Sequence, residues 1–155
     1  MFRSIPVAVA AAAFALEGCM FMHMQRDPNT AQVFAPTLSQ LGSGVRTNES
    51  NIDGLDQDFQ GALAGVTPRM QSKPSFASLM GKYHAALHRY EADKKKWADL
   101  AAWANAVKSD PVRDDLDRLR GDGNAINMDL QNIGVTLRLL PSELTRIQNE
   151  VAWGR

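Results

Sequence analysis

From Leu38 onward the apolar positions follow a helical period. Leu38, Leu41, Val45, Ile52, Leu55, Phe59, Ala62 and Val66, with Asn48 in the same register, alternate three and four residues apart. That is the spacing of a stripe by which one helix packs along another. Gly42, Gly44, Gly54, Gly61 and Gly65 lie between these positions, and a glycine inside a helix costs about 1 kcal/mol relative to alanine. A helix is therefore expected here only where partners hold it, in two pieces broken near Gly42 to Asn51. Thr67-Pro68 through Lys73-Pro74 closes the segment.

The stretch 75–108 predicts the firmest helix. Ser75 offers an N-cap after Pro74, Gly81 is its single glycine, and no proline intervenes before Pro111. Phe76, Leu79, Tyr83, Ala86, Tyr90, Trp97, Leu100, Ala104 and Val107 form its stripe, widened by Met80, Leu87 and Ala101, a face broad enough for a bundle. Glu91, Asp93, Lys94, Lys95 and Lys96 read as its solvated surface.

Asp110-Pro111 predicts the next helix start. Val112, Leu116, Leu119, Gly123, Ile126, Leu130, Ile133, Leu137, Leu140, Leu144, Ile147 and Val151 then keep the four-three alternation. Two features compete with one continuous helix. Gly121-Asp122-Gly123-Asn124 has the composition of a turn. Ile126, Met128 and Leu130, followed by Ile133, Val135, Leu137 and Leu139, also alternate with period two, so a short β-hairpin over 125–139 is the alternative. Pro141-Ser142-Glu143 marks a fresh helix start in either case. The fold class is mainly α: an N-terminal apolar helix, then an extended or bundled set of long amphipathic helices. The residues expected to carry helix packing are Phe76, Tyr83, Tyr90, Trp97, Leu116, Leu119, Leu130, Leu137, Leu144 and Ile147.

Ahead of this body the pattern changes. Ile5 to Met24 is apolar except around Glu17, with Val7, Val9, Phe14, Leu16 and Phe21 as its bulky members. About 20 such residues suffice to cross about 30 Å of hydrocarbon. Glu17 is then an intramembrane acid that calls for a partner. Arg3 followed by an apolar run also fits a secretory signal, and Leu16-Glu17-Gly18-Cys19 resembles the lipobox of bacterial lipoproteins, with Glu17 standing where a small or apolar residue is usual. The resemblance implies lipidation of Cys19. The chain divides into 1–24 as membrane anchor or signal segment, 25–37 as a polar spacer carrying Asp27-Pro28-Asn29, and 38–155 as the helical body.

Seventeen basic and seventeen acidic side chains cancel, which leaves no net field to draw the chain to nucleic acid. Cys19 is the only cysteine, which excludes an internal disulfide. His84 and His88 stand one turn apart with Glu91 a turn further, a spacing that presents three metal donors on one face. That face lies opposite the stripe, where exposed histidines are ordinary. Met20, Met22, His23 and Met24 beside Cys19 are donors of the kind Cu(I) prefers, although methionines in an apolar span are more often plain packing. No nucleophile elbow, phosphate loop, dinucleotide fingerprint or zinc-protease motif occurs, and Asp114, Asp115 and Asp117 suit a helix N-terminus. No cofactor is expected. The leading expectation is a single-span accessory subunit of a larger membrane complex, in a mitochondrial or bacterial inner membrane, whose partners are other subunits and membrane lipids. The alternatives are an outer-membrane lipoprotein whose helical bundle faces the periplasm as a tether or assembly factor, and a metal-handling protein.

Overall fold

The computed structural model describes residues 28–154. Three long helices and one short turn of helix make up these residues: α1 Pro28–Leu63, α2 Pro68–Gln71, α3 Pro74–Val107 and α4 Arg113–Trp153. At 1.5 Å per residue, the 41 residues of α4 span about 60 Å. The mainly α class holds. Val7, Val9, Phe14, Leu16 and Phe21, expected to form an anchor, with Glu17 and Cys19, lie outside the described residues.

Prolines start the helices where a missing N–H does no harm. Pro68 opens α2 behind Thr67, whose Oγ1 accepts the Met70 N–H at 3.4 Å. Pro74 opens α3, one residue ahead of the expected Ser75 start, and Lys73 takes the cap position. α4 begins at Arg113, two residues beyond Pro111, and Asp115 reaches back to accept the Val112 N–H at 3.0 Å.

α1 and α4 run parallel, and α3 returns antiparallel to both. Along the first pair, Leu41 lies against Gly123, Gly44 against Asn127 and Asn51 against Gly134. Along the second, Ser75 reaches Glu150, Lys82 reaches Glu143 and Arg89 reaches Asp129. α4 is the shared partner, and its stripe of Leu119, Leu130, Ile133, Leu137, Leu140 and Ile147 is fully buried between the other two helices. Burying one such side chain contributes about 1.5–3 kcal/mol. That outweighs the helix-propensity cost of an intervening glycine.

Several expectations are corrected here. The hairpin over 125–139 is absent, because α4 passes through these residues without a break. Ile126, Leu130, Ile133 and Leu137 are buried, while Met128, Val135 and Leu139 are exposed. Helical burial of the first set, kept over the whole 41 residues, prevails over a local period of two. The turn at Gly121 to Asn124 and the fresh start at Pro141 are likewise absorbed into α4. Pro141 removes one backbone hydrogen bond, that to the Leu137 carbonyl, without ending the helix.

The break expected near Gly42 to Asn51 does not occur either, and α1 is continuous from Pro28, taking in Pro36 and most of the stretch read as spacer. The partner that holds its glycines is within the same chain. A Cβ placed on Gly123 would stand 2.7 Å from Leu41 Cδ1, one on Gly44 2.9 Å from Asn127 Oδ1, and one on Gly42 3.2 Å from the Trp97 ring. These glycines are notches that receive a neighbour's side chain. Gly54 and Gly81, by contrast, face open space.

The two kinds of glycine separate in thermal unfolding. Gly54→Ala and Gly81→Ala are each expected to stabilise by up to about 1 kcal/mol, raising Tm by a few degrees. Gly123→Leu, which drives bulk into Leu41, is expected to destabilise by about 1–3 kcal/mol. Equal effects at all three positions would count against the notch.

Candidate functional site

Three polar features interrupt the apolar seams, one at each helix pair. Between α1 and α3 the spacing is set by aromatic rings. Tyr83 Oη donates to Asp56 Oδ1 at 2.6 Å and accepts from Gln60 Nε2 at 3.3 Å. Two helical turns further along α3, Tyr90 Oη donates to Asp53 Oδ1 at 2.8 Å. Both phenols are held above their ordinary 10.0, first by burial and then by the carboxylate that each one binds. Further up, Trp103 meets Phe34 edge-on at 6.5 Å and carries the Arg118 guanidinium over its face at 4.1 Å. Trp97, Tyr83 and Tyr90 therefore face α1, while Leu116, Leu119, Leu130, Leu137, Leu144 and Ile147 fill the seams of α4, and Phe76 is half-buried beside them.

Between α1 and α4 the polar feature is an amide pair. Asn48 Nδ2 donates to Asn127 Oδ1 at 3.1 Å, and Asn127 Nδ2 donates to the carbonyls of Leu41 and Gly123 at 3.3 and 3.2 Å. Asn48 already stood in the seam register of the sequence. The pair floors a groove of about 660 Å³ walled by Gln40, Thr47, Asn124, Gln131 and Arg120. An asparagine in a seam sets register, since any slip leaves it without a partner.

The third feature, between α3 and α4, is the one the sequence concealed. Asp93 occupies the seam step between Tyr90 and Trp97 and is 1% exposed. Its place in the charged run 91–96 disguised it as surface. The signal was available, because the stripe skips this one step and only Asp93 fills it. Oδ1 accepts from Lys96 Nζ at 2.7 Å, and Oδ2 has no donor among the described residues. Across the seam stands Asp129, ion-paired with Arg89. Beside them lies a cavity of about 280 Å³ floored by Ala125 and Ile126 and edged by Asp122.

Burial raises the Asp93 carboxyl above its ordinary 3.8; Lys96 opposes the shift and the neighbouring Asp129 reinforces it. Asp129 moves the other way. Burial works against its ionisation, but hydrogen bonds from Asp93 and Arg89 outweigh that and lower its pKa. A proton on Asp93 turns its unsatisfied oxygen into a donor toward Asp129. A proton held between the two carboxylates leaves a single negative charge beside the Lys96 and Arg89 cations.

His84, His88 and Glu91 are exposed on the outer side of α3; the nearest ring to His84 is that of Tyr83, at 5.3 Å. Among the described residues, no three or more His, Cys, Asp or Glu side chains are grouped so as to hold a metal ion. The cluster of Met20, Met22, His23 and Met24 lies outside the described residues. Among the described helices, none is long and apolar enough to cross a membrane. Searches against protein-family models, characterised proteins and solved structures find no match to the chain.

The acid pair gives stability a distinctive pH dependence. A carboxyl whose folded pKa lies above its unfolded 3.8 keeps its proton better in the fold. Its contribution is complete below 3.8 and is lost as pH rises through the folded value. Asp93→Asn is therefore expected to remove a fall in stability between pH 4 and neutrality. Urea midpoints of the variant should exceed those of the wild type at pH 7, and the two should converge toward pH 4. Parallel curves would refute the shared proton.

The amide pair is testable by a double-mutant cycle. Asn48→Ala and Asn127→Ala are each expected to cost about 1–3 kcal/mol, since each removes the amide–amide bond and leaves a partly buried polar group short of a partner. The double variant should cost less than their sum, with a coupling of about 1 kcal/mol.

Proposed function

We propose that the chain is a membrane-tethered helical module that acts by packing against neighbours, an accessory component of a membrane-associated assembly. One observation carries this reading. On a bundle whose seams are otherwise filled, the outward side of α4 presents Met128, Val135 and Leu139, each more than half exposed. Apolar side chains repeated along one helix face are the usual mark of a surface covered by another helix. The apolar residues 5–24 supply the attachment, and the polar features of the bundle, all engaged in holding helices together, support a structural role over a chemical one.

The attachment takes one of two forms. In the first, residues 5–24 stay as a single span in a bacterial or mitochondrial inner membrane, with Glu17 turned toward a partner subunit. The second, a lipoprotein anchored through Cys19 and facing the periplasm, is favoured by the way α1 finds its packing partners within its own chain, since a body completed internally needs no embedding neighbour.

Intact mass of the protein extracted from native membranes decides between the forms: unmodified Met1 and Glu17 present for the span, or a lipid-modified Cys19 as first residue for the lipoprotein. Recovery of the chain in the carbonate-washed supernatant would defeat both. The accessory role predicts migration, after gentle detergent extraction, in an assembly well above the size of two copies. Migration at one or two copies would defeat that role.

A further inference from the structure

α4 carries a second seam on its outer side, bordered at Ala125 by the cavity next to Asp93. Gly121, Ala125, Met128, Asn132, Val135 and Leu139 follow one another at alternating four- and three-residue steps, and every one is exposed. Met128 is 64% exposed, and Val135 and Leu139 are each 55% exposed. The step pattern is that of a helix packed lengthwise on another, yet no helix among the described residues covers it. We propose that this seam pairs α4 in parallel with α4 of a second copy of the chain. The pairing deepens the tethered reading by naming one packing partner, and it rests on that reading for the side from which the two chains depart.

Asn132 chooses both occupant and orientation. It is the one amide in a row of small and apolar residues. In a parallel pair each seam residue meets its own counterpart, so the two Asn132 amides face each other and each supplies a donor and an acceptor. In an antiparallel pair centred on the apolar part of the seam, Met128 to Leu139, Asn132 falls opposite Val135 and goes unsatisfied. A wholly apolar partner helix leaves it unsatisfied as well.

Charge agrees with the parallel arrangement. Arg138 flanks the seam and has no ion-pair partner among the described residues. Glu143 flanks it on the other side, five residues on, at the step where residues bordering a parallel seam meet across it. Its carboxylate is 30% exposed while holding Lys82, which leaves it able to accept a second cation.

The ends of the bundle agree too. Asn29 and Thr30 of α1 and Arg113 of α4 line one cavity, so α1 begins at the same end as α4. In a parallel pair both N-terminal segments leave on one side, as two chains fixed in one membrane must. Confinement there raises the effective concentration enough for a modest apolar contact to pair.

The test uses the full-length chain in detergent micelles, with Val135→Cys introduced into the otherwise unchanged protein. After mild oxidation, the disulfides are identified by peptide mass, so bonds through Cys19 are counted separately. The expected result is a Val135→Cys homodisulfide at least about ten-fold more abundant than that of Gln57→Cys on the outer side of α1. Adding Leu139→Lys should reduce it by about ten-fold. Both Leu139 and Val135 are exposed, and an unchanged helical spectrum separates lost pairing from lost folding. Equal cross-linking at residues 57 and 135, indifference to Leu139→Lys, or a bond only between 132 and 135 in the Asn132→Cys/Val135→Cys double variant would overturn the pairing. Because the readout is in micelles, the pairing can fail while membrane attachment stands, and the reverse.

Discussion

The approach of α1 to α4 is the constraint from which the rest of the bundle follows. Two long helices lying parallel cannot be joined by a short turn, so α3 must carry the chain back, and it then packs against both. What lets α1 and α4 come together is a set of matched notches and side chains, Gly123 under Leu41, Gly44 beside Asn127 and Gly134 beside Asn51. The Asn48–Asn127 amide pair then forbids sliding. Large aromatic rings of α3 meet α1 on the other side, where Tyr83 and Tyr90 span the gap to Asp56 and Asp53. Small residues on one interface and long ones on the next give a three-helix section its asymmetry.

Each interface keeps one polar device, and their chemistry differs. The amide pair is neutral and indifferent to pH. The tyrosine–aspartate bonds bind each carboxylate through a phenol that stays protonated throughout the physiological range. The Asp93–Asp129 pair is the one whose balance changes with pH, because burial first, and then the neighbouring Asp129, push the Asp93 carboxyl upward against the opposing Lys96. Lys96 and Arg89 at its margins prevent the site from being a bare buried charge, which would be far more costly.

Much of this was legible in the chain. The seams of α3 and α4 could be read position by position, and the stripe of α1 stood out even though glycines interrupted it. What misled was local composition weighed without tertiary partners. Gly121 to Asn124 has the makeup of a turn, and Gly42 to Asn51 that of a weak helix. Propensity of about 1 kcal/mol per glycine cannot compete with the side chains that those glycines admit. Asp93 was hidden by its neighbours, since in a run of five charged residues the one that points inward is marked only by the gap it fills in the stripe.

The period-two alternation over 126–139 has a physical meaning beyond a misread strand. At 100° per residue, positions two apart in a helix point 200° apart, to nearly opposite sides. Alternating apolar residues on a continuous helix therefore describe a helix apolar on two opposed faces. Ile126, Leu130, Ile133 and Leu137 account for the face turned to α1 and α3, whereas Met128, Val135 and Leu139 account for the other. A helix at the edge of a bundle needs only the first. The second adds nothing to the fold of one chain and lowers its solubility, so its presence on a body already completed by its own helices argues that α4 is built to be packed from both sides.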